Sequence, residues 1–246
     1  MIIFNAGVPR SGTVMVGAIL RAICSAPEKT VMLANPHGPQ LPELLQTIAK
    51  HRWNPRHTLL VHTHSWDAES ARLVAAMSNV TGFITHRDPR DVCVSLMTLH
   101  DIHFEAAVHM TLHSFDAFSR MAAATAWPTI AYSELVSDKA GQIRRIAAYL
   151  RHPLSTGDVE HIDRKSSVEK HRAIMEKVRL GQTADIRERH NSRRILREDS
   201  ETLINDRHIQ SGQTGRWQQE LTPRQQERAT FVFATILKNL YVETRR

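Results

Sequence analysis

Short apolar runs alternate with amphipathic helical patterns through the first 150 residues, and this alternation constrains the fold more than any other feature. Four runs have the length and composition of buried strands: residues 2–8, 58–64, 81–87 and 128–135. The helical patterns between and after them cover residues 13–24, 42–51, 67–77, 89–100, 103–123 and 138–150. Strands connected through helices lie parallel, because the chain must cross the sheet between them. The pattern therefore predicts an α/β fold of three layers, with a mostly parallel central sheet flanked by helices.

The first predicted strand leads into the segment "GVPRSGTV", residues 7–14. Its two glycines have the spacing of the phosphate-binding loop G-x-x-x-x-G-K-[ST], but Thr13 occupies the lysine position and a cation, Arg10, lies inside the loop. The first backbone N–H groups of a helix have no intrahelical partner, so a tight loop before a helix forms an anion site. Gly12 allows close approach of the backbone, and Ser11 and Thr13 offer hydroxyl donors. We therefore predict a P-loop-like anion site.

A second group of candidate residues follows a later strand, in the segment "HRDPRDVCVSL". Asp88 and Pro89 have the pattern of an N-cap and a first-turn proline, so Arg87 is expected to end the strand and Ser95 to lie on the next helix. The triplet His-Arg-Asp also occurs in the catalytic loop of protein kinases. Cys93 stands where that loop requires asparagine, however, and the chain contains no G-x-G-x-x-G. The segment is therefore not a protein-kinase catalytic loop.

Three candidate segments fall at the carboxyl ends of predicted strands: residues 7–13, His64 and Arg87. Open parallel sheets bind ligands in the crevice beyond those ends, so we expect the three to face one site. His62 and His64 point to the same side of their strand and could both line it. A His-x-His strand can also bind zinc, but no third ligand has diagnostic spacing, and we predict no metal.

The composition limits the classes of protein to which the chain can belong. Its 246 residues, 41% of them hydrophobic, suit a single domain over 1–246. No apolar run approaches the roughly 20 residues of a membrane span, and the N-terminus lacks the pattern of a signal peptide, so we expect a cytoplasmic protein. The formal charge of +7 favours a polyanionic partner without choosing between nucleic acid, nucleotide and acidic glycan.

The last third of the chain has a different character. We predict short helices at 156–163 and 166–176, the second opened by a capping pair of Ser166 and Glu169. The charge-dense stretch from 177 to 207 is expected to form either a mobile lid or a surface helix.

Four segments, in order along the chain, resemble the motifs of sulfotransferases of bacterial type, which use 3′-phosphoadenosine 5′-phosphosulfate (PAPS) as donor. "GVPRSGTVMV" resembles their 5′-phosphosulfate loop, P-[KR]-S-G-T-T, and "HRDPRDVCVSL" resembles their 3′-phosphate motif, R-D-P-R-D-x-x-x-S. "IAYSELVSDKAGQIRRIAAYL" is similar to their Y-E-D-L-V-x-D segment, and "SGQTGRWQQELT" to their G-x-x-G-x-W segment. Each motif alone is of limited specificity, but the ordered set spans most of the chain.

The resemblance implies roles for the residues of the loop. Arg10 would contact the bridging oxygen and stabilise the leaving phosphate. Val14 replaces the second threonine of the family motif, so its contact would come from the backbone N–H group. The residues implied to bind the 5′-phosphate are Ser11, Gly12, Thr13 and Val14.

The resemblance also implies how the rest of the donor is bound. Arg87 and Ser95 would bind the 3′-phosphate, and Tyr132 would reach the adenine. Many relatives have R-K-G near the C-terminus, where this chain has Gln210, Ser211 and Gly212. Ser211 and Gly212 are kept as candidate donor-binding residues. Two cations are missing, so Arg216 or the basic stretch would have to replace them. Residues 177–216 are expected to form a mobile loop that contacts the acceptor and the donor.

The segment "LLVHTHSW" resembles the family strand K-T-H, with His62 in the place of the lysine and His64 in that of the histidine. A hydroxyl acceptor must lose its proton as the S–O bond forms, and imidazole has a suitable pKa for this step, so His64 is the candidate base. A protonated His62 could supply the missing cation.

The resemblance therefore implies transfer of a sulfuryl group from PAPS to a hydroxyl on a glycan, lipid or small molecule, leaving adenosine 3′,5′-bisphosphate (PAP), without metal. The alternatives are a P-loop-type ATP-dependent kinase or phosphotransferase and a non-catalytic binder of nucleic acid or acidic glycan. The missing loop lysine argues against the first, and the absence of a recognised nucleic-acid module argues against the second.

Overall fold

A computed structural model describes residues 1–25, 30–34, 40–50, 57–182, 186–191, 194–199, 204 and 212–243. Five strands form a parallel sheet in the order β2-β3-β1-β4-β5. Their bounds are β1 Ile2–Gly7, β2 Thr30–Ala34, β3 His57–Thr63, β4 Val80–His86 and β5 Thr129–Ala131. Because β1 lies between β3 and β4, the carboxyl ends that carry the candidate residues are adjacent. The predicted P-loop-like α/β fold is confirmed.

The helices before residue 150 connect the strands and cover both faces of the sheet. They are α1 Thr13–Cys24, α2 Gln40–Lys50, α3 Ala68–Ala75, α4 Pro89–His100, α5 Phe104–Ala124, α6 Tyr132–Ser137 and α7 Lys139–Tyr149. Those that follow are α8 Thr156–Lys165, α9 Val168–Arg179, α10 Trp217–Glu220, α11 Pro223–Val232 and α12 Ala234–Glu243. Within the described ranges, none combines the length and the apolar character needed to span a bilayer.

Two hydrophobic cores, one on each face of the sheet, give the fold its three layers. Successive strand residues point to opposite faces, so Phe4 of β1 enters one core and Ile3 enters the other. The core around Phe4 includes side chains from α2, α4, α5 and α12. The core around Ile3 includes side chains from α1, α7 and α8. Both strand residues are fully buried, so the strand that leads into the site is packed on both faces.

The structure corrects the predicted strand at 128–135. Only Thr129–Ala131 pairs with β4, and the chain then turns into α6, with Ala131 as its N-cap residue. The apolar run continues across this boundary, so its composition does not mark where the strand ends. The sequence also missed β2, a five-residue strand at the edge of the sheet.

Two further corrections concern the last third of the chain. Helix α9 begins at Val168 with Ser167 as its N-cap, because the Ser166 hydroxyl is buried and donates to the Ile162 carbonyl of α8. The stretch from 177 to 207, predicted as a lid or a surface helix, contains an antiparallel strand pair, so the helix alternative is wrong for these residues and the lid stays a prediction. These strands are β6 Ile186–Asn191 and β7 Arg194–Asp199.

Candidate functional site

The loop between β1 and α1 has a backbone shape that requires glycine at two positions. Gly7 has φ +149°, and a Cβ atom there would lie 2.3 Å from the Thr85 carbonyl oxygen. Gly12 is the N-cap residue of α1 with φ +93°, and a Cβ atom there would lie 2.9 Å from Tyr132 Cδ2. No side chain in the described part of the chain caps α1. The first N–H groups of this helix are therefore available to an anion.

The hydroxyl of Ser11 does not face outward as the sequence suggested. Ser11 is fully buried, and its Oγ donates to the Val8 carbonyl oxygen at 2.6 Å and lies 2.6 Å from Thr85 Oγ1. The predicted contact from this hydroxyl to a phosphate is thus replaced by a bond that closes the loop. Thr13 and Val14 are also buried, at 3% and 6% exposure, which leaves their backbone N–H groups as the expected donors.

Arg10 connects the two predicted ends of the site. Its φ is +68°, and its Nε donates to Ser95 Oγ on α4 at 2.8 Å. Burial, together with the charges of Arg87 and Arg216, lowers the pKa of Arg10 to about 10. Three guanidinium groups therefore repel one another here, and an anion placed among them would relieve that repulsion.

Arg87 follows β4 directly and is only 8% exposed. Its Nη2 donates to Asp91 Oδ2 at 3.3 Å and to the Gln213 carbonyl oxygen at 2.5 Å, while its guanidinium lies 4.4 Å from the Tyr132 ring centre. Its Nε is buried and has no hydrogen-bond partner in the described part of the chain. A buried donor without a partner is costly, so this atom fits a bound anion.

Asp91 is a functional residue that the sequence analysis did not single out. Its carboxylate is 1% exposed and accepts hydrogen bonds from Gly215 N at 2.8 Å and from Trp217 N at 3.2 Å. Together with Arg87, these bonds attach the segment 212–217 to the start of α4. The second aspartate of R-D-P-R-D was the available signal, but the sequence does not show its partners.

The residues expected at the adenine and the C-terminal motif occupy one neighbourhood. Tyr132 donates its hydroxyl to the Gly212 carbonyl oxygen at 2.8 Å, so this hydroxyl orders the 212–217 segment rather than facing a ligand. Burial raises the pKa of Tyr132. Arg216 forms an ion pair with Glu220 at 2.6 Å. Ser211 and Gln210 lie outside the described residues.

The two candidate histidines lie side by side at the end of β3. His64 Nδ1 is 2.8 Å from the Gly7 carbonyl oxygen, and because a carbonyl only accepts, Nδ1 carries the hydrogen. The proton-accepting lone pair of His64 is therefore on Nε2. His62 is 5% exposed, and the two ring centres are 5.0 Å apart. Among the residues that the structure describes, no group of His, Cys, Asp or Glu could hold a metal ion.

Comparison with protein-family models matches residues 2–241 to the sulfotransferase domain. Among solved structures, the chain is similar to mouse sulfotransferase SULT7A1 complexed with PAP, with 16% identity and a TM-score of 0.69 over 98% of this chain and 84% of that one. It is also similar to retinol dehydratase in complex with androsterone and inactive cofactor PAP, with 15% identity and a TM-score of 0.59 over 96% and 80% of the two chains. Retinol dehydratase in a complex with retinol and PAP has 15% identity and a TM-score of 0.62, over 96% and 81%. At these identities the structures establish the shared fold. No curated protein sequence matches the chain.

Proposed function

The chain belongs to the sulfotransferase family, and we propose that residues 1–246 act as one domain that transfers a sulfuryl group from PAPS to a hydroxyl acceptor, with His64 as the base. The donor supplies the sulfuryl group and leaves as PAP. His64 takes the acceptor proton as the new S–O bond forms and the S–O bond to phosphate breaks. The proton later passes from His64 to solvent, which returns the histidine to its neutral form.

The contact that supports the base most directly is the one between His64 Nδ1 and the Gly7 carbonyl oxygen, at 2.8 Å. It orients the ring from the first residue of the anion loop, and it leaves Nε2 as the proton acceptor. A base positioned at that loop is next to the atoms that react, which is the geometry that general-base catalysis requires.

The start of α1 is proposed to bind the 5′-phosphosulfate. The backbone N–H groups of Thr13 and Val14 lie at the positive end of the α1 dipole, and no described side chain caps this helix. Charge builds on the leaving phosphate during transfer, and fixed N–H donors stabilise it without reorganisation. Arg10 belongs to the same loop and is proposed to stabilise the leaving phosphate from its position beside Ser95.

The 3′-phosphate is proposed to bind among Arg10, Arg87 and Arg216, with Ser95 beside them. Three observations support this: the charges of Arg87 and Arg216 lower the pKa of Arg10, the buried Nε of Arg87 has no partner among the described residues, and Arg10 Nε donates to Ser95 Oγ. Arg216 thereby replaces the cations that many relatives carry where this chain has Gln210 and Ser211. Discrimination between PAP and AMP would depend on this cluster.

The acceptor is proposed to be a hydroxyl compound, and the formal charge of +7 favours one that is itself anionic, such as an acidic glycan. We propose that the transfer needs no metal ion and that the protein works in the cytoplasm. Activity that survives a chelator would support the first point.

The function is tested by incubating the protein with PAPS carrying radioactive sulfur and a panel of glycans, lipids and small hydroxylated metabolites. Label transferred to one acceptor class supports the proposal. Transfer of phosphate from ATP with magnesium, and none of sulfur from PAPS, would replace it with the phosphotransferase alternative. Calorimetry should show PAP binding more tightly than AMP.

The base is tested by His64→Ala, which should lower kcat by about 10³-fold, within the range typical of a positioned general base. His109→Ala is the matched control, because His109 is exposed on α5 and has no proposed role. Equal kcat for both variants would remove His64 from the mechanism.

A further inference from the structure

A polar side chain lies inside the sheet where apolar residues dominate. Asn5, in the middle of β1, is 2% exposed, and its register partner on β3 is His62. Its Nδ2 lies 2.7 Å from the Thr13 carbonyl oxygen in the first turn of α1 and 3.1 Å from His62 Nδ1. Its Oδ1 is buried and has no hydrogen-bond partner among the described residues. Such a group costs stability, so its position calls for an explanation.

The amide of Asn5 can take only one of its two orientations. A carbonyl oxygen accepts but does not donate, so the atom that faces Thr13 O at 2.7 Å must be the nitrogen. A flipped amide would place two oxygen atoms in contact. Gly17 provides the space for this amide, because a Cβ atom there would lie 2.9 Å from Asn5 Nδ2. The nitrogen of Asn5 therefore also faces His62.

This orientation determines the tautomer of His62. An amide nitrogen donates, so His62 Nδ1 must accept, and the ring hydrogen is on Nε2. A second proton on Nδ1 would point at the N–H groups of Asn5. The neighbouring His64 has the opposite arrangement, with its hydrogen on Nδ1 facing Gly7 O. At Nε2, therefore, His62 is a hydrogen-bond donor and His64 is an acceptor.

We propose that Asn5 is a positioning residue that keeps His62 neutral with its hydrogen on Nε2, and that His62 donates this hydrogen to the oxygens of the transferring group. This rests on the proposed sulfuryl transfer. His62 stands where the sulfotransferase motif has lysine, so the chain supplies a hydrogen-bond donor in place of a cation. The earlier expectation that a protonated His62 provides the charge is thereby replaced.

The first test measures the tautomer directly and requires neither donor nor acceptor. Nitrogen NMR of the imidazole groups should show His62 with its hydrogen on Nε2 in the wild type. In Asn5→Leu, which removes the amide at similar volume, the hydrogen should move at least partly to Nδ1. If Asn5→Leu does not fold, Asn5→Ser serves, because its hydroxyl is too short to reach the ring. A wild-type ring with its hydrogen on Nδ1 would overturn the inference.

The second test separates donation from structure by kinetics. His62→Leu should lower kcat by about 10²-fold, as the loss of a preorganised donor does, with little change in PAP affinity. His62→Gln, whose amide offers an N–H near the position of Nε2, should keep kcat within a few fold. Loss of kcat as large in His62→Gln as in His62→Leu would contradict donation.

The role of Asn5 is isolated by a double-mutant cycle. In the wild-type background Asn5→Leu should lower kcat by about tenfold, as outer partners that orient histidines do. In the His62→Gln background it should have no further effect, because glutamine has no tautomer to select. An equal loss in both backgrounds would mean that Asn5 acts only on the fold. If no acceptor gains sulfur while His62 keeps its Nε2 hydrogen, the proposed function fails and the tautomer assignment stands.

Discussion

The two ends of the candidate site are built in different ways. The 5′ end consists of consecutive residues, 7–14, whose backbone is held by its own loop and by the neighbouring strand. The 3′ end combines Arg87 on one segment, Tyr132 on another and residues 212–217 from far along the chain. The first depends on backbone geometry, whereas the second depends on side-chain bonds between distant parts of the sequence. The two ends should therefore fail under different substitutions.

The largest effect is expected from Asp91→Asn at the 3′ end. The amide loses the charge that faces Arg87 and places a donor near the N–H groups of Gly215 and Trp217. Breaking a buried pair costs about 3–5 kcal/mol, so we expect the free energy of unfolding to fall by about 4 kcal/mol, with weaker PAP binding. Urea denaturation and calorimetry measure the two quantities.

Asp116→Asn is the control for that substitution. Its carboxylate also pairs with an arginine, Arg120, but is 59% exposed on α5. Exposed pairs contribute about 0–1 kcal/mol, so this variant should be close to wild type. Equal losses in the two variants would show that Asp91 does not hold the 3′ end together.

At the 5′ end the expected loss comes from the backbone. Gly12→Ala strains a residue with φ +93° and places a methyl group 2.9 Å from Tyr132 Cδ2 and 3.1 Å from a Leu135 methyl carbon. We expect the free energy of unfolding to fall by about 3 kcal/mol, the upper end for such strain, with loss of PAP binding. Gly181→Ala is the control, since φ is +68° there and no described atom lies within 4 Å of the added methyl group. If both variants lose the same stability, the packing against Tyr132 has no part in the effect.

The same contrast explains how much the sequence could predict. Helices α1 and α4 begin and end at the predicted residues, 13–24 and 89–100, because loop glycine, capping aspartate and proline mark them locally. The anion loop is predictable for the same reason. The N-cap of α9 is Ser167 and not Ser166, because Ser166 lies at the end of α8. The hydrophobic periodicity of the sequence does not distinguish the two serines.

The 3′ end was predictable only in part. Arg87 and Ser95 belong to one motif and could be named from it, but the bond from Arg10 to Ser95 joins residues 85 positions apart. The bonds of Asp91 to Gly215 and Trp217 join residues 124 and 126 positions apart. A single sequence contains no local signal for contacts of that separation, so they emerge only from the folded chain.

The next largest effect is a pH dependence of stability that arises from His86, beside the 3′ end. His86 lies at the end of β4 beside Arg87, packs on Phe118 and has its pKa lowered by burial to about 4. The unfolded chain binds a proton that the folded chain does not between about pH 6.5 and 4, so stability falls as the pH drops through this window. We expect the free energy of unfolding to be about 2 kcal/mol lower at pH 5 than at pH 7.

That loss should be absent from His86→Phe, which keeps an aromatic contact with Phe118. Urea denaturation at pH 7 and pH 5 measures the difference between the variant and the wild type. His171, buried beside Arg21 and Lys139, has its pKa lowered to about 4 as well, so the variant retains part of the acid sensitivity. If the variant and the wild type lose the same free energy of unfolding between pH 7 and pH 5, His86 does not contribute to the acid sensitivity.

The smallest effect concerns the charge that replaces the missing cations. Arg216→Gln removes one guanidinium that lowers the pKa of Arg10 and should weaken PAP binding by about tenfold, which corresponds to the loss of one phosphate contact of about 1.4 kcal/mol. AMP binding should change little, because AMP has no 3′-phosphate, and the salt dependence of PAP binding should become less steep. Arg228→Gln, an exposed residue that pairs with Glu105, is the control. If AMP binding and PAP binding weaken equally, Arg216 contacts the 5′-phosphate. That result would contradict the proposal that the loop at residues 7–14 binds this phosphate without Arg216.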